Sequence, residues 1–270
     1  MHKDYYKQYQ KVFENFIDQA LKEDLKEGDL TSLSCIDPHA QSKAQLIFKE
    51  GGILAGLKLA RKICKRHDPQ LKVIPFVREG AYLNPGVIAF TVKGSTRSLL
   101  AVERLVLNTL QRMSGIASRT HELTQKIKHT SCKLLDTRKT TPNFRYPEKW
   151  AVQIGGGINH RMGLFDAIMI KDNHIDFCGG MDNTLLKTEK FLKNTSKTPE
   201  VVVECRNPEE ITTALKFSWI NRILLDNHSI AELKNAVALI DNRMMTEASG
   251  NITSLEILLH LMWLMWQKLE

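Results

Sequence analysis

The sequence predicts an α/β protein in which an N-terminal α+β unit precedes a parallel α/β sheet of the barrel type. Three observations carry this. A chain of 270 residues exceeds the usual size of one hydrophobic core, which favours two packed units or a barrel with an added domain. Residues 42 to 110 mix short β-like runs with turn signals, whereas the later half alternates short apolar runs with helical stretches. Each of those later runs also ends in, or is followed at once by, a polar residue, as strands do when their carboxyl ends form a ligand face.

Tyr5, Tyr9, Val12, Phe13, Phe16, Ile17, Ala20 and Leu21 recur every three or four positions, the pattern of one buried helical face, so a helix opens the chain. The runs "AQLIF" (44–48), "KVIPFV" (72–77) and "VIAFTV" (87–92) predict strands, punctuated by Gly51-Gly52 and Asn84-Pro85-Gly86. A long helix follows from about Ser98. Beyond it, "CKLLD" (132–136), "AIMIK" (167–171), "VVVE" (201–204), "RILLD" (222–226) and "MMTEA" (244–248) are separated by stretches long enough to hold a helix each. Repeated strand–helix units of this kind build a parallel sheet. The predicted organisation is 1–112 for the α+β domain, 113–256 for the barrel domain and 257–270 for an apolar tail.

Composition narrows the function classes. With 43% hydrophobic and 25% charged residues the chain reads as globular and not disordered. The start, "MHKDYYKQYQ", lacks the apolar core of a secretory signal. The longest apolar run, Ile257 to Trp266, is interrupted by His260 and falls short of the roughly 20 residues that span a bilayer, so no membrane role is expected. Five cysteines (Cys35, Cys64, Cys132, Cys178 and Cys205) lie far apart without a CxxC pair, which predicts reduced thiols in a cytoplasmic setting. Lys plus Arg exceed Asp plus Glu by 38 to 30, a net +8 that favours anionic partners. The densest cluster, "RKICKRH" (61–67), has no interleaved aromatics, so it reads as a solvated helix face and no nucleic acid is expected.

The polar residues at the predicted strand ends are the site candidates. Asp136 with Arg138 and Lys139, then Lys171, Glu204, Asp226 and Ser249-Gly250 would converge on one face, with His160 and Arg161 beside them. A guanidinium grips a carboxylate or phosphate through two parallel hydrogen bonds and an ammonium acts as a point charge, so the mixture suits a substrate with several negative groups. Gly155-Gly156-Gly157 offers backbone amides to an anion or simply makes a tight turn; it lacks the spacing of a GxGxxG or P-loop. Glu204 and Asp226 would hold a divalent cation through hard oxygens, with substrate phosphates and water completing a Mg²⁺ octahedron, or would cap helices. His174 and Cys178 stand too isolated to be nucleophiles.

These residues, in order, resemble the quinolinate phosphoribosyltransferase family. The likeness spans about residues 15 to 256 and rests on "ALKEDLKEGDLTS" (20–32), "GGILAG" (51–56), "VERLVLNTLQRMSGIAS" (102–118), "DTRKTTPNFRYPEKWAV" (136–152), "GGGINHRMGLFDAIMIKDNHI" (155–175), "VVVEC" (201–205), "LLDN" (224–227) and "EASGNI" (247–252). The resemblance implies conversion of quinolinate and phosphoribosyl pyrophosphate, with Mg²⁺, to nicotinate mononucleotide, pyrophosphate and carbon dioxide in NAD biosynthesis. It implies an open α/β barrel and a head-to-tail homodimer in which Arg104 reaches the partner's quinolinate, joining Arg138, Lys139, His160, Arg161 and Lys171. By the same resemblance Glu204 and Asp226 face the ribose and the metal, Ser249 and Gly250 bind the phosphate, and Lys139, Lys171, Glu204 and Asp226 form the catalytic set.

The family pattern continues past "EASGGI" to a further strand and glycine loop, whereas here Asn251 replaces the second glycine and the sequence runs into the apolar tail. Three readings are open: a shifted reading frame after about Glu256, a truncation whose tail plugs the barrel gap, and a helix that binds a partner. A non-catalytic anion-binding homologue, left inactive by loss of the terminal strand, is the functional alternative.

Overall fold

A computed structural model describes residues 4 to 250. The expectations about residues 257–270 lie outside the described residues. The elements in chain order are α1 (Tyr5–Gln8), α2 (Gln10–Leu25), α3 (Leu30–Cys35), β1 (Gln41–Ile47), β2 (Gly52–Ile53), α4 (Leu57–His67), β3 (Lys72–Pro75), β4 (Tyr82–Leu83), β5 (Ile88–Ser95), α5 (Thr96–Ile127), α6 (Arg145–Ile154), β6 (Ala167–Ile170), α7 (Asp172–Cys178), α8 (Met181–Asn194), β7 (Glu200–Glu204), α9 (Pro208–Ala214), β8 (Arg222–Asp226), α10 (Ile230–Ile240) and β9 (Met245–Ser249). The described residues form two compact units, residues 4–125 with 133–160, and residues 126–132 with 161–250. The expected boundary at residue 112 falls inside α5, which runs unbroken to Ile127. Among the described residues no helix is long and apolar enough to cross a membrane.

In the first unit β1, β5 and β3 form an antiparallel sheet in that order, and β2 pairs with β4. The predicted opening helix is two, because the chain breaks at Tyr9. The break lets Tyr5, Tyr6 and Phe13 close around Trp150 of α6, with Tyr5 stacked on the indole at 5.9 Å. Helix α4 begins at Gly56, which has no side chain to cap it. The Glu79 carboxylate does so instead, accepting from the amides of Gly56 (2.6 Å), Leu57 (3.2 Å) and Lys58 (3.0 Å). The basic cluster at 61–67 is a solvated face as expected: Arg66 pairs with Asp18, while Ile63 and Cys64 are buried.

The second unit is built on four parallel strands in the order β6-β7-β8-β9. Consecutive strands that neighbour one another without reversal belong to an arc of a barrel, since a doubly wound sheet reverses its order at a switch point. Ile170, Val201, Val203, Ile223 and Leu225 pack with Ile175, Leu185, Ile211, Leu233 and Ile240 of the helices. By alternation along the strands the opposite face carries Val202 and Glu204, Arg222, Leu224 and Asp226, and Glu247 and Ser249. At the start of that face Arg222 reaches Glu200 (2.7 Å) and Glu247 (3.0 Å), binding three strands together.

One expected strand is not one. "CKLLD" makes an isolated parallel bridge, Leu135 with Ile158. Two hydrogen bonds join the two segments, from the Ile158 amide to Leu134 O (2.9 Å) and from the Asp136 amide to Ile158 O (3.1 Å). Its partner is the short segment after the triple glycine, too brief to propagate a ladder.

Candidate active site

In the first unit the cation-bearing loop hangs from Asp136. Its Oδ1 accepts from the ammonium of Lys149 and from the His160 amide (2.8 Å), and its Oδ2 accepts from Asn159 Nδ2 (2.6 Å). Lys149 is fully buried and also donates to His160 O at 3.1 Å. A buried charge must be paired and hydrogen-bonded to be tolerated, and this one is. The hub therefore joins the segment bearing Arg138 and Lys139 to the segment bearing His160. Lys139 is exposed, while Arg138 Nε is buried and makes no hydrogen bond within the protein. A buried guanidinium N–H without an acceptor is costly unless an anion completes it.

The triple glycine is a turn and not an anion cradle. All three amides are used, Gly155 by Ala151 O (3.0 Å), Gly156 by Gln153 O (3.0 Å) and Gly157 by Val152 O (2.9 Å). A Cβ on Gly155 would sit 2.4 Å from Ala117 O, so glycine here is what lets the end of α6 lie against α5. Arg104 is exposed on α5.

In the second unit four of the expected residues meet at the carboxyl ends of the strands. Lys171, the residue after β6, places its ammonium 3.5 Å from Glu204 Oε2 at the end of β7. Asp226 ends β8 and Ser249 ends β9, and they are register partners whose side chains hydrogen-bond, Ser249 Oγ donating to Asp226 Oδ1. Asn227 Nδ2 donates to Asp226 Oδ2 at 2.7 Å. Gly250, next to them, has φ +74°, and a Cβ there would meet Asn227 Oδ1 at 2.1 Å. Arg161 Nη1 contacts Ala167 O, at the start of β6, at 3.5 Å. His174 is no nucleophile; its Nδ1 accepts from the Lys171 amide at 2.9 Å and orders the start of α7.

Burial pushes the Glu204 carboxyl above the ordinary range; Lys171 opposes the rise, and the nearby carboxylates of Asp226 and Asp172 add to it. Burial also pushes the thiols of Cys64 and Cys205 up to about 12, so both are inert packing groups.

Among the described residues no group of three or more His, Cys, Asp or Glu side chains is arranged to hold a metal ion. The Glu204–Asp226 pair still fits Mg²⁺, which binds through one or two carboxylates and takes its other ligands from substrate phosphates and water. Glu204 Oε2 is buried and makes no hydrogen bond, the kind of oxygen a divalent cation would satisfy.

Sequence reasoning named Arg138, Lys139, His160, Arg161, Lys171, Glu204, Asp226, Ser249 and Gly250, but missed the groups that hold them. Asp136 was counted without a role; Lys149, Glu148, Asn159 and Asn227 were not singled out. The available signals were a charged Glu148-Lys149 pair within the apolar face of a helix, and an Asn after a strand-end Asp, a residue suited to its observed φ of +57°. The loop yields a direct expectation. Arg138→Ala should weaken quinolinate binding by about 1.5–3 kcal/mol, the worth of a hydrogen bond to a charged group, measurable by calorimetry. Unchanged affinity would remove Arg138 from the site.

Comparison with known proteins identifies the family. The family model for the quinolinate phosphoribosyl transferase N-terminal domain matches residues 29–114, and that for the C-terminal domain matches residues 116–261. The chain is 42% identical over 252 residues to the chloroplastic nicotinate-nucleotide pyrophosphorylase [carboxylating] of Oryza sativa subsp. japonica, covering 88% of this chain and 67% of that protein. Among solved structures, NadC from Streptococcus pyogenes superposes with a TM-score of 0.81 at 36% identity, covering 89% of this chain and 84% of that one. The nicotinate-nucleotide pyrophosphorylase from Francisella tularensis does so with a TM-score of 0.85 at 33% identity, covering 94% and 88%. With both domains matched in order over most of its length, this chain belongs to the quinolinate phosphoribosyltransferase family.

Proposed function

We infer that the chain transfers the phosphoribosyl group of phosphoribosyl pyrophosphate to quinolinate with loss of carbon dioxide, giving nicotinate mononucleotide and pyrophosphate in NAD biosynthesis. The observation that carries this is the placing of Lys171, Glu204, Asp226 and Ser249 at the ends of four adjacent parallel strands, Lys171 paired with Glu204 and Asp226 register-matched and hydrogen-bonded to Ser249. Family membership supports the same reading, and nothing favours the non-catalytic alternative.

Arg138, Lys139 and His160 in the first unit and Arg161 and Lys171 in the second are the cations that suit the two carboxylates of quinolinate. As pyrophosphate leaves, that carbon gains oxocarbenium character. Glu204 and Asp226 would stabilise it by charge, with Asp226 oriented by Ser249 and Asn227. Lys139 and Lys171 would neutralise negative charge that builds on the leaving side. When bound, Mg²⁺ would screen the diphosphate oxygens, with Glu204 and Asp226 as its protein ligands. Ser249 and Gly250 would meet the 5′-phosphate, Gly250 by its bare backbone. Once ribosylated, the ring nitrogen is cationic and withdraws electrons, so the adjacent carboxylate leaves as carbon dioxide. Its bonding pair stays on the ring carbon as an ylide, and that carbon takes a proton from water, with no dedicated acid.

A homodimer is part of the proposal. Arg104 is exposed on α5, where it is available to a second subunit. Five thiols without a disulfide suit a reducing compartment, and we assign the chain to the cytoplasm, while the rice relative's name places that protein in the chloroplast.

The test is an assay of purified protein with both substrates and Mg²⁺, reading nicotinate mononucleotide. Arg104→Ala and Lys139→Ala variants, each inactive alone, should regain about a quarter of wild-type activity when mixed and allowed to exchange subunits, as a site shared across a two-fold interface requires. No product from the wild-type protein refutes the activity, and no recovery on mixing refutes the shared site.

A further inference from the structure

The buried acid and base of α6 have no place in the chemistry just described, yet they sit directly behind the residues that do. Glu148 and Lys149 are consecutive, 5% and 0% exposed, and point along different directions from one helix. Lys149 grips Asp136 and His160 O. Glu148 grips Thr141, accepting from its amide (3.2 Å) and its hydroxyl (2.8 Å), and is itself held by Arg112 Nε at 2.8 Å. Four residues lie between the two anchor points: Thr137, Arg138, Lys139 and Thr140. A third tie, from Arg145 Nε to Thr140 Oγ1 at 3.0 Å, comes from the first residue of the same helix.

Stability alone does not account for this arrangement. Taking two charges out of water is expensive, and well-packed apolar side chains of similar volume commonly serve a core as well or better. What a charged, hydrogen-bonded anchor supplies and an apolar contact does not is direction. A loop tied at both ends to neighbouring residues of one rigid helix has little freedom to rotate its apex, and the apex carries an exposed Lys139 and an Arg138 whose buried Nε finds no acceptor in the protein.

We propose that Glu148 and Lys149 are positioning residues, a two-point clamp that aims Arg138 and Lys139 at the carboxylates of quinolinate. The proposal rests on the reading of this loop as the dicarboxylate site. The clamp acts on one substrate: loosening it without leaving a buried charge unpaired raises the KM for quinolinate and leaves the KM for phosphoribosyl pyrophosphate and the melting temperature in place. A merely structural pair would instead lower the melting temperature and reduce the fraction of active protein.

The experiment uses full-length protein with two variants. Asp136→Leu/Lys149→Met replaces the ion pair by apolar groups, and Glu148→Gln turns one of the oxygens holding Thr141 into an amide that no longer accepts from its backbone N–H. The expected result is a folded double variant with quinolinate KM raised about tenfold to a hundredfold, and a rise of about tenfold in Glu148→Gln, sized by the loss of one charge-assisted contact. Wild-type KM values in a folded variant, equal rises for both substrates, or loss of folding in both variants would each overturn the clamp. If the wild-type protein forms no product, the activity fails by itself; calorimetric titration of the same three proteins with quinolinate then reads the clamp independently.

Discussion

Glu204→Gln is expected to lower turnover by about two to three orders of magnitude while the melting temperature stays level or rises. On the proposed mechanism the loss is that of a fixed charge facing the transition state, typically worth about 2.7–4 kcal/mol in such sites. The stability change has the opposite sign for a reason visible in the structure. Glu204 is buried beside Asp226 and Asp172, and its pKa is raised on folding. A carboxyl raised on folding holds its proton more tightly folded than unfolded, so its ionisation costs stability as pH rises from the ordinary carboxylate value through the raised one. Glutamine removes that cost at neutral pH. The same shift predicts an acid limb in kcat/KM above the ordinary carboxylate range, which Glu204→Gln should abolish; pH–rate profiles and thermal melts of both proteins check it. A large fall in melting temperature would show that the Lys171 pair outweighs the burial cost.

Lys149→Met alone is expected to be the most destabilising single change in the first unit. It leaves the Asp136 carboxylate buried without its cation, and removing one partner of a buried pair costs about 3–5 kcal/mol. At about 2–4 °C per kcal/mol for a chain of this class, the melting temperature should fall by roughly 6–20 °C. Adding Asp136→Leu should restore most of it, since the penalty belongs to the uncompensated charge and not to the lost contact. Differential scanning calorimetry of the single and double variants decides this: equal destabilisation in both would mean that packing, not charge, is what Lys149 provides.

The strand ends of the second unit were legible because parallel sheets obey a strong rule. The middles of runs such as "VVVE" and "RILLD" are apolar on both faces up to the tip, where the chain meets the ligand side, so Glu204 and Asp226 stand out in the sequence. "CKLLD" obeyed the same rule and misled, because strand pairing depends on what lies alongside, and its partner after Gly157 is too short to make a ladder. The break at Tyr9 was hidden for a similar reason: aromatic spacing fits one continuous helix, and it is Trp150, distant in sequence, that draws Tyr5 and Phe13 together. The triple glycine offered two readings, and only the approach of Ala117 O decided between them.

By itself the sequence determined the class of each half, the positions of the polar tips of all four parallel strands, and the identity of the cationic residues, since periodicity and charge are local properties of the chain. Which acid faces which base was decided by the tertiary structure alone. Lys149 meets Asp136, Glu148 meets Thr141 and Ser249 meets Asp226 because helix packing and strand register bring together residues that the chain keeps apart, and a charge can be buried only where such a partner is already in place.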